Sequence, residues 1–168
     1  KVHNNLTRSN TWKLPDKCPV CGGDVKIYNE KGSKTLHCMN PYCKAKTLSK
    51  LIHAVSRNAL NIDGLSEATL EKFMERGWIQ SIQNIYHLYN YKTDLENMEG
   101  FGKRSTSKLL DSINKSRTTT LDRFLYAQSI PLIGQSSSKD IARACHYDLD
   151  EFRMRVDIEG EQVFRELT

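Results

Sequence analysis

The sequence predicts a mainly α-helical fold in which a small four-cysteine unit with a short β-hairpin precedes a tandem array of paired helices. Three observations predict this fold. Four cysteines lie in two close pairs in the N-terminal third of the chain. From residue 48 onward, apolar residues recur at helical spacing. Three similar turns interrupt those helices at spacings of 36 and 32 residues, which is typical of a repeat architecture.

The composition limits both the class of protein and the size of its core. Hydrophobic residues make up 38% and charged residues 27% of the 168 residues. No apolar run approaches the ~20 residues that cross a bilayer, and the polar N-terminus lacks the apolar stretch of a secretory signal. We therefore expect neither a membrane protein nor a secreted precursor. We also expect the fold to need a brace besides its hydrophobic core.

The charge is uneven along the chain. The net charge is +8 over residues 1–60, +1 over residues 61–145 and −4 over residues 146–168. A basic N-terminal third favours a polyanionic partner. A basic surface that contacts only solvent is the alternative, and charge alone does not decide between the two.

We assign residues 17–47 to the four-cysteine unit and interpret residues 1–16 as the tail of a preceding domain. The cysteines form a C-x2-C pair, a gap of sixteen residues and a C-x4-C pair. Two short reverse turns of this kind point four sulfurs at one ion, which is typical of a structural zinc site. Four thiolates leave no coordination position open for water, so a catalytic zinc is not expected. The predicted ligands are Cys18, Cys21, Cys38 and Cys43.

A β-hairpin is predicted between the two cysteine pairs. The segments DVKIY and TLH flank NEKGSK, which has the composition of a turn. A unit this small needs the free energy of metal binding to fold. Two disulfides in an oxidising compartment are the alternative use of the four thiols, and His37 is an alternative ligand. The fifth cysteine, Cys145, has no partner in the pattern and is expected to be a buried thiol.

Residues 48–145 are predicted to form the helical array, with three turns between helices. The first, second and third turns are Ile62–Ser66, Met98–Gly102 and Ile130–Gly134. Their pattern of an apolar residue, any residue, glycine, an apolar residue and glycine matches the helix-hairpin-helix signature. Only the second turn matches at every position, because Ser66 replaces the last glycine of the first turn and Leu132 the first glycine of the third.

The turns are candidate phosphate sites. Glycines allow a tight bend and close approach, and each following helix begins with free backbone N–H groups at the positive end of its dipole. The second turn is predicted to contact DNA most strongly, the third next, and the first, which is followed by Glu67, to be structural. Ordinary tight turns in a helical bundle are the alternative. The predicted DNA-binding residues are Gly64, Leu65, Gly100, Phe101, Gly102, Lys103, Arg104, Ile133, Gly134 and Gln135.

Residues 146–168 are acidic and only weakly periodic. Within them, the segment Ile158–Gln162 is faintly similar to a further turn, although its acidic residues disfavour phosphate binding. We interpret residues 146–168 as the start of a further repeat that the end of the chain interrupts.

The ordered motifs resemble the zinc-finger and helix-hairpin-helix region of bacterial NAD-dependent DNA ligases, from about Trp12 to Ala144. The segments that carry the resemblance are CPVCGGDV, HCMNPYCKAK, LNIDGLSEATLEKF, MEGFGKRS and LDRFLYAQSIPLIGQSSSKDIA. The resemblance implies a structural Zn²⁺ on the four cysteines and a DNA-binding domain that lies against the minor groove of nicked duplex DNA. A glycine is usual at the position of Ser66, which weakens the assignment of the first turn as a direct contact.

The resemblance also implies a role for the chain within a larger enzyme. That enzyme seals nicks during replication and repair, using NAD and Mg²⁺ that would be bound outside this segment. No K-x-D-G adenylation motif occurs in the chain, so we expect it to be non-catalytic and inactive alone. The expected partners are nicked double-stranded DNA and the remaining ligase domains, in the bacterial cytoplasm at the nucleoid.

Two other functions fit the same motifs. A free-standing DNA-repair module with a zinc finger and tandem hairpins would make the same contacts with DNA. A helical protein–protein scaffold, in which zinc only holds the array together, would make none.

Overall fold

A computed structural model describes residues 14–30 and 32–157 of the chain. These residues divide into two compact units, with the boundary between Lys46 and Thr47. Most of the predicted tail at residues 1–16 lies outside the described residues, and so does the whole of the faint turn at Ile158–Gln162.

The N-terminal unit is built on a two-stranded antiparallel sheet. Strand β1 (Val25–Glu30) pairs with β2 (Ser33–Cys38), so that Val25 lies opposite Cys38. The strands are longer, and the loop shorter, than the sequence predicted. A two-residue connection suffices because Gly32 has a φ of +80°, a left-handed conformation that tight hairpins require and glycine adopts readily.

The sheet brings the cysteine pairs together but builds no hydrophobic core. Among the described residues of this unit, the buried hydrophobic side chains are only Cys18 and Cys43, which are 8% and 1% exposed. Apolar residues on the strands, such as Ile27 and Tyr28, remain largely exposed. The cysteine cluster therefore occupies the place that a core takes in a larger domain.

The C-terminal unit is helical, which confirms the predicted fold class. Three consecutive helix pairs flank the three turns: α1 and α2 the first, α4 and α5 the second, α6 and α7 the third. No helix in the described part of the chain combines the length and apolar character needed to cross a membrane. The helices are α1 (Lys44–Val55), α2 (Glu67–Glu75), α3 (Ile82–Ile85), a 3-10 helix (Leu88–Tyr91), α4 (Lys92–Asn97), α5 (Lys103–Ser116), α6 (Leu121–Ala127), α7 (Gln135–Ala144) and a last helical segment at residues 149–157.

The segment before the second turn differs from the prediction. The sequence predicted one helix over SIQNIYHLY, but α3 spans only four residues and a 3-10 helix follows it. The Tyr91 ring, at the end of that 3-10 helix, stacks on Trp78 with the ring centroids 5.0 Å apart. The helical pattern is thus divided between two short elements, and α4 is the helix that leads into the second turn.

Two clusters of buried side chains hold the helical unit together. The larger cluster contains Phe73 and Leu109, which occupy equivalent places seven residues after the last positions of the first and second turns. The smaller cluster joins α6 to α7 and includes Cys145, with Ile141 half-buried against it. Cys145 is a buried free thiol, as expected.

Candidate metal centre and nucleic-acid interface

The four cysteine sulfurs of the N-terminal unit lie within 4.8 Å of one another. The Cys21 and Cys38 sulfurs are 3.5 Å apart, and those of Cys18 and Cys43 are 4.0 Å apart. Four sulfurs at ~2.3 Å from a tetrahedral Zn²⁺ are ~3.8 Å from each other, whereas a disulfide brings two sulfurs to ~2.05 Å. The two measured separations are close to the tetrahedral value and far longer than a disulfide bond, so the donor set fits a tetrahedral ion and not two disulfides.

The first cysteine pair is held by a turn closed with backbone hydrogen bonds. The N–H of Gly22 donates to the Cys18 carbonyl at 2.8 Å, and the N–H of Cys18 donates to the Gly23 carbonyl at 2.8 Å. A side chain at Gly23 would be crowded, because a Cβ there would lie 3.3 Å from the Cys21 sulfur and 3.1 Å from the Asn40 Cβ. This glycine lets the two cysteine turns approach each other.

The second cysteine pair is held by an asparagine turn. The Asn40 side-chain oxygen accepts from the N–H of Tyr42 at 2.9 Å, and the Asn40 carbonyl accepts from the N–H of Cys43 at 3.4 Å. The N–H of Met39 donates to the Asp24 carbonyl at 2.7 Å, which joins this turn to the start of β1. His37 is not in the cluster; its Nε2 hydrogen-bonds with the Thr35 hydroxyl at 3.1 Å.

Backbone N–H groups favour the ionised thiolates of Cys18 and Cys21. The N–H of Gly23 stabilises the Cys21 thiolate and lowers its pKa to about 6. The N–H groups of Cys21 and Val20 likewise lower the pKa of Cys18. Burial raises the pKa of Cys38 to about 12. A cation bound by all four sulfurs has to displace the proton on Cys38, so metal affinity falls as pH falls.

The first turn of the helical unit packs inward. Gly64 has a φ of +92°, and a Cβ there would lie 3.5 Å from the Leu109 Cδ1 on α5. The Leu65 side chain is buried, and the N–H of Asp63 donates to the Ser112 hydroxyl at 2.8 Å. The glycine of this turn therefore faces a neighbouring helix and not solvent.

A side chain also caps the helix that follows the first turn. The Ser66 hydroxyl accepts from the N–H of Thr69 at 3.2 Å, and Glu67 adds a negative charge to the first turn of α2. Capping satisfies one of the backbone donors that would otherwise face a ligand. These contacts favour the structural role predicted for the first turn.

The second turn is open where the first is closed. Neither Gly100 nor Gly102 would bring a Cβ within 4 Å of another atom. The N–H of Gly102 donates to the Ser105 hydroxyl at 2.8 Å, but no group in the described part of the chain accepts from the next three N–H groups. The free donors at the start of α5 belong to Lys103, Arg104 and Ser105.

Side chains around the second turn are divided between core and solvent. Phe101 is half-buried, and its ring centroid lies 5.8 Å from that of Phe73. Lys103 and Arg104 are exposed, and no ion pair engages either of them within residues 14–30 and 32–157. The turn thus combines an anchored aromatic residue, free amides and two uncompensated positive charges.

The third turn shares the open backbone without the charge. Gly134 precedes α7 with no side-chain cap, and a Cβ there would meet nothing within 4 Å. Gln135 is exposed and Ile133 half-buried. In place of the first glycine stands Leu132, with a φ of +68°. The two predicted DNA-contact turns therefore share an uncapped helix start, which the first turn lacks.

A further difference between the turns escaped the sequence analysis. The fourth residues of α5 and α7, Thr106 and Ser138, are fully buried, and their hydroxyls have no hydrogen-bond partner among the described residues. The equivalent residue of α2 is Leu70. An alignment of the three turns that continued through the first turn of each following helix would have shown this difference in residue type. It again separates the first turn from the other two.

Several known proteins that share one name are similar to this chain in sequence. No family model matches it. It is 45% identical over 148 residues to a protein named DNA ligase from Ruminiclostridium cellulolyticum, covering 88% of this chain and 22% of that protein. A DNA ligase from Lachnoclostridium phytofermentans is 42% identical over 151 residues, 90% of this chain and 23% of that protein.

A more distant relative gives the same result. A DNA ligase from Psychrobacter cryohalolentis is 36% identical over 132 residues, 78% of this chain and 19% of that protein. The chain spans about a fifth of the length of the curated relatives it matches. Over most of its length, the chain is therefore similar to one segment of bacterial proteins named DNA ligase.

Proposed function

We propose that the chain is the non-catalytic DNA-binding segment of an NAD-dependent DNA ligase, and that it grips the phosphate backbone without reading sequence. The observation that carries the proposal is the pair of uncapped, open glycine turns at Gly102 and Gly134, in a chain whose relatives are named DNA ligase. Helix N-termini with free N–H groups bind phosphate through backbone donors and the helix dipole.

The two turns divide the binding between them. At the second turn, the free amides of α5 donate hydrogen bonds to one phosphate while Lys103 and Arg104 add charge. At the third turn, the free amides of α7 and the side-chain NH₂ of Gln135 donate hydrogen bonds to another. Backbone contacts of this kind position a protein on a duplex but carry no sequence information.

The cysteine cluster would hold a structural zinc ion. The ligands would be Cys18, Cys21, Cys38 and Cys43, whose sulfurs fit a tetrahedral ion. Because all four donors are thiols, a bound ion has no position free for a reacting water. The ion would supply folding free energy to a unit that lacks a hydrophobic core.

The joining chemistry belongs to the parent enzyme, outside this segment. We infer that NAD and Mg²⁺ bind to the other domains, since the chain has no K-x-D-G motif. The segment would hold nicked duplex DNA for those domains in the bacterial cytoplasm, at the nucleoid. Alone, it is expected to form no AMP adduct when mixed with NAD and nicked DNA.

A fluorescence titration of the zinc-loaded chain against nicked and intact duplexes tests the proposal. We expect binding to both, because the contacts are with phosphates. We expect the affinity to fall roughly a hundredfold between 50 and 200 mM salt if about four phosphates are engaged. Absence of binding at both salt concentrations would overturn the proposal and favour a protein–protein scaffold. An AMP adduct would overturn its non-catalytic part.

A further inference from the structure

The tip of the third turn carries a leucine in an unfavourable backbone conformation. Leu132 has a φ of +68° and a side chain that is 102% exposed. The equivalent residues of the first and second turns are glycines, Gly64 and Gly100, with φ values of +92° and +83°. All three turns therefore use the left-handed conformation at this position, and only the third places a branched side chain there.

The turn itself holds Leu132 in this conformation, because the N–H of Ile133 donates to the Ile130 carbonyl at 3.1 Å across Pro131 and Leu132. A left-handed conformation brings the Cβ of an L-residue too close to the backbone, a cost that glycine avoids. The Leu132 side chain recovers none of that cost by burial, because it is as exposed as an isolated residue. Strain of this kind, held in place by the surrounding turn, indicates a functional constraint.

Leu132 lies beside the phosphate site of the proposed function. Two residues further on, Gly134 opens onto the free amides of α7. Residues 129–138 contain no charged side chain, whereas Lys103 and Arg104 follow the second turn directly. A phosphate held by α7 is joined on both sides to deoxyribose, the apolar component of the DNA backbone. An apolar side chain beside the phosphate site is thus complementary to the adjoining sugar.

We propose that Leu132 is a DNA-contact residue that packs against the deoxyribose next to the phosphate bound by α7. The proposal rests on the proposed function. The apolar contact at the third turn replaces the charge contacts of the second turn and adds no counterion release. The affinity that it contributes is therefore independent of salt.

Substitutions at Leu132 test this contact in the full zinc-loaded chain. Leu132→Gly should keep or raise the unfolding temperature, because the strain disappears, and should weaken binding to intact duplex roughly tenfold. Leu132→Asn, which tolerates the same backbone conformation, should weaken binding similarly. Leu132→Met should retain the affinity. The slope of log Kd against log salt should not change in any variant.

Tyr147→Gly is the matched control. Tyr147 also has a positive φ, +60°, and is 48% exposed, but it follows the opposite end of α7. Its replacement likewise removes a side chain at a positive φ and should leave the Kd unchanged. If Leu132→Gly binds DNA within twofold of the unchanged chain, the contact is refuted while the proposed function survives. If the unchanged chain binds no DNA, both proposals fail.

Discussion

Replacing Cys38 with serine should unfold the N-terminal unit and leave the helical unit folded. The N-terminal unit has no buried hydrophobic side chains beyond Cys18 and Cys43 among its described residues. Removing one of four ligands therefore removes most of what holds it together. Structural zinc contributes about 10–16 kcal/mol in small finger peptides, far more than the stability of a bare two-stranded hairpin. The helical unit has its own clusters of buried side chains and should persist.

Zinc content and amide hydrogen exchange measure this prediction together. Cys38→Ser should lose the bound ion and the exchange protection of β1 and β2, while the helices keep theirs. A chelator should have the same effect on the unchanged chain, and more readily at lower pH, where protons compete for the sulfurs. Cys145→Ser is the control, since Cys145 lies outside the cluster. Full zinc content in Cys38→Ser would contradict the metal assignment.

Replacing Gly102 with valine should weaken DNA binding far more than replacing Ser66 with valine. Gly102 has an extended conformation, with φ −163° and ψ 178°, which valine adopts without strain. The added side chain contacts no other protein atom, since a Cβ at Gly102 has nothing within 4 Å. It should therefore leave the fold intact and obstruct the approach of a phosphate to the amides of α5. Hydrogen bonds to charged groups contribute about 1.5–3 kcal/mol each, so a loss of roughly tenfold or more in affinity is expected.

The two substitutions should rank in opposite order for stability and for binding. Ser66→Val removes the hydrogen bond to Thr69 and should lower the free energy of unfolding by about 1 kcal/mol, with little change in Kd. Gly102→Val should lower the free energy of unfolding less, because no side-chain cap is lost. Thermal unfolding and DNA titration of both variants give the comparison. Equal losses of affinity would refute the ranking of the turns.

The cysteine site was the part most fully predictable from the sequence. Each cysteine spacing is typical of a short turn that carries two metal ligands, and the predicted hairpin between the pairs brings the four sulfurs together. The hairpin was predicted, but its loop was overestimated, because pairing continued to Glu30 and Ser33 once Gly32 closed a tight turn. Local geometry accounts for both results.

Features that depend on long-range contacts could not be predicted. No local pattern indicates that Gly64 faces Leu109. No local pattern indicates that Tyr91 stacks on Trp78 either. The sequence shows that Leu132 stands where the other two turns have a glycine. It does not show that Leu132 is exposed or that its backbone is left-handed. Which turn is open and which is packed depends on the tertiary arrangement.

The most direct measurement is the change in backbone amide NMR signals of the isotope-labelled, zinc-loaded chain when duplex DNA is added. In the proposed function, the free amides at the starts of α5 and α7 bind phosphate, whereas the start of α2 is capped by Ser66. We therefore predict that the signals of residues 103–105 and 135–137 move on binding, while those of residues 67–69 stay in place. Signals that move at residues 67–69, with those of residues 103–105 and 135–137 unchanged, would contradict the account.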